Sequence, residues 1–199
     1  MTNTQAFRWL FIIVFVGMVS ISGYFRSRAR RSGEAIPRAR EGKLVLLTRL
    51  FFAAPLYLPI IVYMFHPGWM TWAALPLPVW VRWLGAAIGL AMLPVLYSVF
   101  SSIGGNISET TLTKEKHKLV THGPFQWVRH PSYSAATVSL ISMGALAANW
   151  FMLATACIAL IGIAVLVIPR EEAELVRKFG VEYQDYMLRT GRLTPRLFR

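Results

Sequence analysis

The sequence predicts an all-α integral membrane protein of about five transmembrane helices, the last two a tight helical hairpin, followed by a C-terminal helix. Three observations carry that prediction. Of 199 residues 55% are apolar and 15% charged, against roughly 45–50% and about 25% in soluble domains. Mean hydropathy is +0.49. Long uncharged runs alternate with clusters of basic residues.

One crossing needs about 20 mostly apolar residues. Residues 7–25 form the first predicted span, with Arg8 as its only charge. Residues 44–65 form the second, with Arg49 in its first turns, and 83–103 form an uncharged third. From Pro131 to Pro169 there is no charge for 39 residues, and Asn149 and Trp150 sit near the middle. That stretch is predicted to be two antiparallel helices, 131–148 and 150–168, joined by a tight turn at Asn149. Pro55 and Pro59 in span two and Pro94 in span three would kink or locally open their helices. The whole chain, residues 1–199, reads as a single membrane domain.

Charge placement orients these spans. Of 21 Lys and Arg, seven lie in 26–43, four in 101–131 and seven in 170–199. All three segments fall on one side of a five-span chain, which the positive-inside rule makes cytoplasmic, with the N-terminus outside and the C-terminus inside. The net charge of +12 is then topology plus contact with anionic membrane lipids, and nucleic acid is excluded as the partner. In the first span the Arg cluster follows the apolar core and no small-residue cleavage site comes after it, so an anchor is expected and not a leader. The single cysteine, Cys157, excludes an intrachain disulfide framework and a cysteine zinc site. No residue set has metal-ligand spacing, so no metal is expected.

Polar chemistry concentrates in two segments, 104–133 and 169–195. In the first, Gly123-Pro124 marks a turn, and Arg129 and His130 stand immediately before Pro131, which suits the first position of span four. This end of a helix favours anions; equally, Arg129 reads as an interfacial residue and His130 as a cap. In the second, Glu171 and Glu172 follow Pro169. They serve a cationic ligand or a proton transfer, or they are ordinary acids in the first turn of a helix that starts at Pro169. That helix would end at Phe179 with Gly180 as its cap, and Tyr183 and Tyr186 read as packing or interfacial residues. The hairpin brings the two ends together as an Arg/His/Glu/Glu cluster beside apolar helices, suited to a polar cofactor and a lipid-like substrate.

The run His117-x-Leu119-Val120-x-x-Gly123-x-Phe125-x-x-x-Arg129-His130-Pro131-x-Tyr133 resembles the signature of the integral-membrane methyltransferases, of the isoprenylcysteine carboxyl methyltransferase and phospholipid methyltransferase type. The tail Glu171-Glu172…Phe179-Gly180-x-x-Tyr183-x-x-Tyr186-x-x-x-Thr190-Gly191-Arg192-Leu193-x-Pro195 is similar to its second half. The resemblance covers 105–195. It implies a cytoplasmic pocket for S-adenosylmethionine, reached by a lipophilic small-molecule or lipid substrate. His117, Leu119, Val120, Gly123, Phe125, His130, Pro131 and Tyr133 would line the cofactor, with Glu171 and Glu172 completing the site. Arg129 and Arg192 would face the reacting end of the substrate and, with Glu172, carry the chemistry. The chain departs from the family at Phe125, where Tyr is frequent, and at Ile107, where an aromatic residue is.

A carboxylate acceptor is ionised at neutral pH and needs no general base; Arg129 or Arg192 would orient it. A phospholipid amine must lose a proton, for which Glu172 is the candidate base. A thiol needs a lowered pKa, which neighbouring arginines favour. A sterol-type membrane reductase using NADPH shares the Arg-His-Pro element and is the rival enzyme. A non-enzymatic membrane scaffold is the other alternative. Acceptor and oligomeric state are not legible at this level.

Overall fold

A computed structural model of the chain describes residues 3–31, 43–104 and 119–196. Among the described residues it is built from helices: α1 (Asn3–Arg31), α2 (Lys43–Phe65), α3 (Val79–Ile103), α4 (Pro131–Ala147), α5 (Trp150–Gly162), α6 (Ile168–Phe179) and α7 (Val181–Arg189). Short 3₁₀ turns at Pro67–Ala73 and Gly123–Gln126 sit in the connections.

Among the described residues three helical stretches are long and apolar enough to cross a bilayer: Thr4–Arg31, Val79–Ile103 and Trp150–Phe179. The described apolar part of α2, Ala53–Phe65, is shorter, and α4 has 17 residues, about 25 Å of helix. The helices containing Pro55, Pro59 and Pro94 run unbroken through them, so these prolines do not divide their spans. The largest departure from the expected elements lies beyond the fifth predicted span. The sequence places a helix start at Pro169, but α5 continues into α6 through a π turn, Ile163–Val167. This makes one helical rod about 45 Å long, half as long again as the roughly 30 Å hydrocarbon core. Its surplus length projects Glu171 and Glu172 past the apolar part.

The α4–α5 hairpin is turned in two residues. Ala148 takes the left-handed conformation (φ 52°), and the Asn149 side chain accepts from the Met152 amide at 3.0 Å, capping α5. Small residues let α3 lie close against α4. A methyl at Gly85 would meet the Ser142 carbonyl at 2.8 Å, and one at Gly89 the Ser142 hydroxyl at 3.0 Å, the kind of contact on which helix association in lipid depends. Phe7, Phe11 and Val14 of α1 close the core against Ile60, Met143, Leu146 and Met152.

Candidate active site

The Arg129–His130 and Glu171–Glu172 pairs, 42 residues apart in sequence, do meet. Glu172 is the hub, its side chain 5% exposed. Arg129 Nε donates to its Oε1 at 2.8 Å, and Arg192 Nη2 donates to its Oε2 at 2.8 Å. His130 Nε2 lies 3.3 Å from Oε1. His130 does not cap α4 with its side chain; its other ring nitrogen is 3.5 Å from Glu171 Oε2. Glu171 in turn accepts from the Tyr133 hydroxyl at 2.7 Å, whose ring stacks on that of His130.

Backbone pairing holds the cluster in place. Val128 and Gly191 form a parallel bridge, extended by amide bonds from Arg129 to the Gly191 carbonyl (2.8 Å) and from His130 to the Arg192 carbonyl (3.1 Å). Ser134 Oγ adds a bond to the Leu193 carbonyl at 2.6 Å. The chain after α7 is thus strapped across the start of α4, which carries Arg192 to Glu172. Gly123, at the turn that opens this segment, has φ +61°, a conformation glycine adopts without strain.

The two arginines differ in what they have left to offer. Arg129, 9% exposed, spends Nη1 on the carbonyls of Met187 and Thr190 as well as Nε on Glu172. It fastens α4 to α6 and α7. Arg192 is 46% exposed and keeps unspent donors, but it is not among the residues that line the neighbouring cavity, whereas Arg129 is. The carboxylates divide too: both oxygens of Glu172 are engaged inside the protein, whereas Glu171 faces the cavity.

That cavity has a volume of about 730 Å³, within the 300–1,000 Å³ usual for small-molecule sites. Leu119, Val120, Phe125, Arg129, His130, Tyr133 and Glu171 line its polar end. Its other end reaches down between the helices to Phe15 and Met18 of α1, Leu56 of α2, Leu140 of α4 and Ala159 of α5. Pro131 is buried as the first residue of α4. His117 lies outside the described residues.

Tyr183, Tyr186 and Glu174 also line the cavity, and sequence reasoning gave none of them to the site. Tyr186 donates to the Phe125 carbonyl at 2.5 Å, and burial pushes its phenol up to about 12, so it stays a donor. Tyr183 is 1% exposed, yet its hydroxyl has no hydrogen-bond partner among the described residues, which is uncommon in native proteins. Burial, with the nearby Glu172 charge, pushes its phenol upward too. His130 moves the other way: burial lowers it below its ordinary 6.5, outweighing the attraction of Glu172. Its imidazole is therefore neutral near pH 7.

Comparison with known proteins points in one direction. Residues 83–177 match the model of the isoprenylcysteine carboxyl methyltransferase (ICMT) family. A relative named methanethiol S-methyltransferase 2, from Bradyrhizobium diazoefficiens, is 28% identical over 141 residues, covering 64% of this chain. The match spans 53% of that relative's length, about half. The solved structure of the eukaryotic intramembrane Ras methyltransferase ICMT superposes with a TM-score of 0.56 at 19% identity, over 94% of this chain and 67% of that one; that likeness is one of fold.

Proposed function

We propose that this integral-membrane protein of the isoprenylcysteine carboxyl methyltransferase type transfers a methyl group from S-adenosylmethionine to a lipophilic or amphipathic acceptor at the cytoplasmic face. The observation that carries the reading is the cavity: its lining combines the carboxylates of Glu171 and Glu174 and the guanidiniums of Arg26 and Arg129 with apolar faces of α1, α2, α4 and α5. We take the chain to cross the bilayer five times as one domain, N-terminus outside, with the Glu172 cluster at the inner surface.

The residues present fit the donor. Leu119, Val120 and Phe125 offer an apolar wall to a purine, Glu171 a carboxylate to a cationic group, and Tyr183 an unspent hydroxyl to a polar one. When bound, S-adenosylmethionine supplies a methyl group made electrophilic by its sulfonium. The protein's share is positioning and exclusion of water. Glu172 holds Arg192, which does not itself line the cavity but has donors left with which to orient an acceptor carboxylate bidentately from beside it. Arg129, with its donors on Glu172 and backbone carbonyls, acts as the brace behind it. A carboxylate acceptor then needs no base. For an amine or thiol acceptor the proton goes to Glu171, which faces the cavity; Glu172 is enclosed by two guanidiniums. The bacterial relative's name puts a thiol among these acceptors, alongside a prenylcysteine carboxylate and a phospholipid amine.

Calorimetric titration of the detergent-purified protein with S-adenosylhomocysteine, and separately with NADPH, tests the reading. Saturable binding of the first alone is expected, followed by transfer of labelled methyl to one of the three acceptor classes. Binding of NADPH alone would replace the methyltransferase by a reductase.

A further inference from the structure

We propose that the π turn at Ile163–Val167 is the positioning element of this site: by absorbing one extra residue it rotates α6 so that Glu171 faces the cavity and Glu172 reaches Arg129, His130 and Arg192. What the cavity binds rests on the reading above; the rotation is read from burial and hydrogen bonding alone.

Each residue of an α-helix turns the side-chain direction by about 100°. Before the π turn the inward face consists of Met152 and Ala156, both buried, and Ala159 and Ile163, both lining the cavity. These lie within about 40° of Ile163. An unbroken α-helix would next present Val167, Arg170, Glu174 and Arg177 on that face, and of these only Glu174 lines the cavity. Such a helix would leave Glu171 about 80° away and aim Glu172 about 180° away, at the far side. The structure has the opposite pattern. Arg170, Ala173 and Arg177 are exposed, Ile168 and Glu172 are buried, and Glu171 and Leu175 line the cavity.

One residue absorbed in a π turn removes about 100° from every later position. Glu171 and Leu175 then fall within about 20° of Ile163, and Glu172 at about 80°, on the flank toward the start of α4. The hydrogen bonding agrees: the Ile168 amide reaches the Ile163 carbonyl, five residues back. Pro169 gives the reason the extra residue sits here. It has no amide to donate, and its ring crowds the carbonyl four residues before it, which a wider turn relieves. The adjacent acids are thereby sorted, one into the cavity and one into the ion-pair hub.

Deletion of Leu166, which is exposed on the outside of the rod, removes the extra residue and with it the π turn; the unbroken helix that results keeps Glu171 within about 20° of Ile163 and Glu172 at about 80°. Deletion of both Val165 and Leu166, each exposed, turns α6 by about a further 100° and carries Glu172 away from Arg129. A compensated variant lacks both but carries an alanine inserted between Pro169 and Arg170, which restores the orientation. In each background, an Arg129→Met/Glu172→Gln double-mutant cycle in thermal unfolding reads the Arg129–Glu172 contact without any cofactor. Coupling is expected in the unaltered protein and in the single deletion, absent in the double deletion, and regained in the compensated variant. Binding of S-adenosylhomocysteine should survive the single deletion, weaken at least about tenfold in the double deletion, the worth of one charge-assisted hydrogen bond, and return with compensation; Leu166→Ala should leave both readouts unchanged. Coupling lost in a folded single deletion, coupling that survives the double deletion, or a compensated variant as impaired as the double deletion overturns the proposal. A double deletion that fails to fold while the single deletion and the compensated variant fold supports it, because only the rotation separates them. If the unaltered protein bound no S-adenosylhomocysteine, the methyltransferase reading would fall and the coupling would still decide the role of the π turn.

Discussion

At the turn of the α4–α5 hairpin, Arg82 donates to the Leu146 carbonyl at 3.0 Å and lies 4.1 Å over the Phe7 ring. Nearby, Arg8 donates to the Met64 and Phe65 carbonyls that end α2. At the other end of the hairpin, Arg129 and Arg192 converge on Glu172. Each end is also clasped by one isolated backbone bridge, Ala74 to Asn149 and Val128 to Gly191. The difference is the counter-charge. Residues 3–31 and 43–104 contain no Asp or Glu, so the arginines at the turn neutralise helix C-termini, where cations are favourable. The far end imports two carboxylates and opens a cavity beside them. An arginine near a membrane helix end is therefore uninformative about chemistry until its partner is known.

The comparison breaks most visibly through Glu172. Its replacement by Gln removes the charge that balances Arg129 inside the protein, and breaking a buried pair costs about 3–5 kcal/mol. Arg82→Met removes a hydrogen bond to a carbonyl and a cation–π contact, about 1–3 kcal/mol together. Thermal unfolding in detergent should rank the two in that order. Binding of S-adenosylhomocysteine should fall in Glu172→Gln and stay at the unaltered level in Arg82→Met. Equal losses of stability, or a binding defect from Arg82→Met, would erase the distinction between the ends.

Tyr183 sharpens it on a smaller scale. Its hydroxyl has no protein partner among the described residues, so Tyr183→Phe should leave unfolding unchanged or slightly harder. If the hydroxyl serves the ligand, the same substitution weakens S-adenosylhomocysteine binding by about 0.5–1.5 kcal/mol, the net worth of a neutral hydrogen bond. Calorimetry and unfolding on one preparation separate the roles: a stability loss without a binding loss would make the hydroxyl structural.

Much of this was legible in the sequence, for identifiable reasons. Uncharged runs marked the helices because charge is costly in lipid. Asn149 and the 39 uncharged residues marked a hairpin, and a hairpin necessarily returns Glu171–Glu172 to Arg129–His130. The division of labour was not legible. Glu171 and Glu172 are neighbours, about 100° apart on a helix, and which one faces the cavity depends on a π turn that no hydropathy pattern encodes. Arg129 and Arg192 looked alike because the Met187 and Thr190 carbonyls that occupy Arg129 carry no sequence signal. Tyr183 and Tyr186 read as packing, and they do pack; their place in the cavity wall follows from where α7 docks.

The smallest effect expected is a pH dependence confined to the carboxylate end. His130 is lowered from 6.5 chiefly by burial, whereas the same imidazole in the unfolded chain titrates near its ordinary value. Below about pH 6.5 the unfolded state therefore binds the proton first. The stability contributed by neutral His130 is complete above that pH and is lost as the pH falls toward the folded-state value. Melting temperature should drop as the pH falls below about 6.5, and His130→Gln should flatten the drop even as it lowers the plateau. Arg82→Met should melt at a lower temperature throughout and keep the unaltered slope, because it leaves every group around His130 in place. A slope that survived His130→Gln intact would transfer the titration to the carboxylates and leave the imidazole a neutral spacer between them.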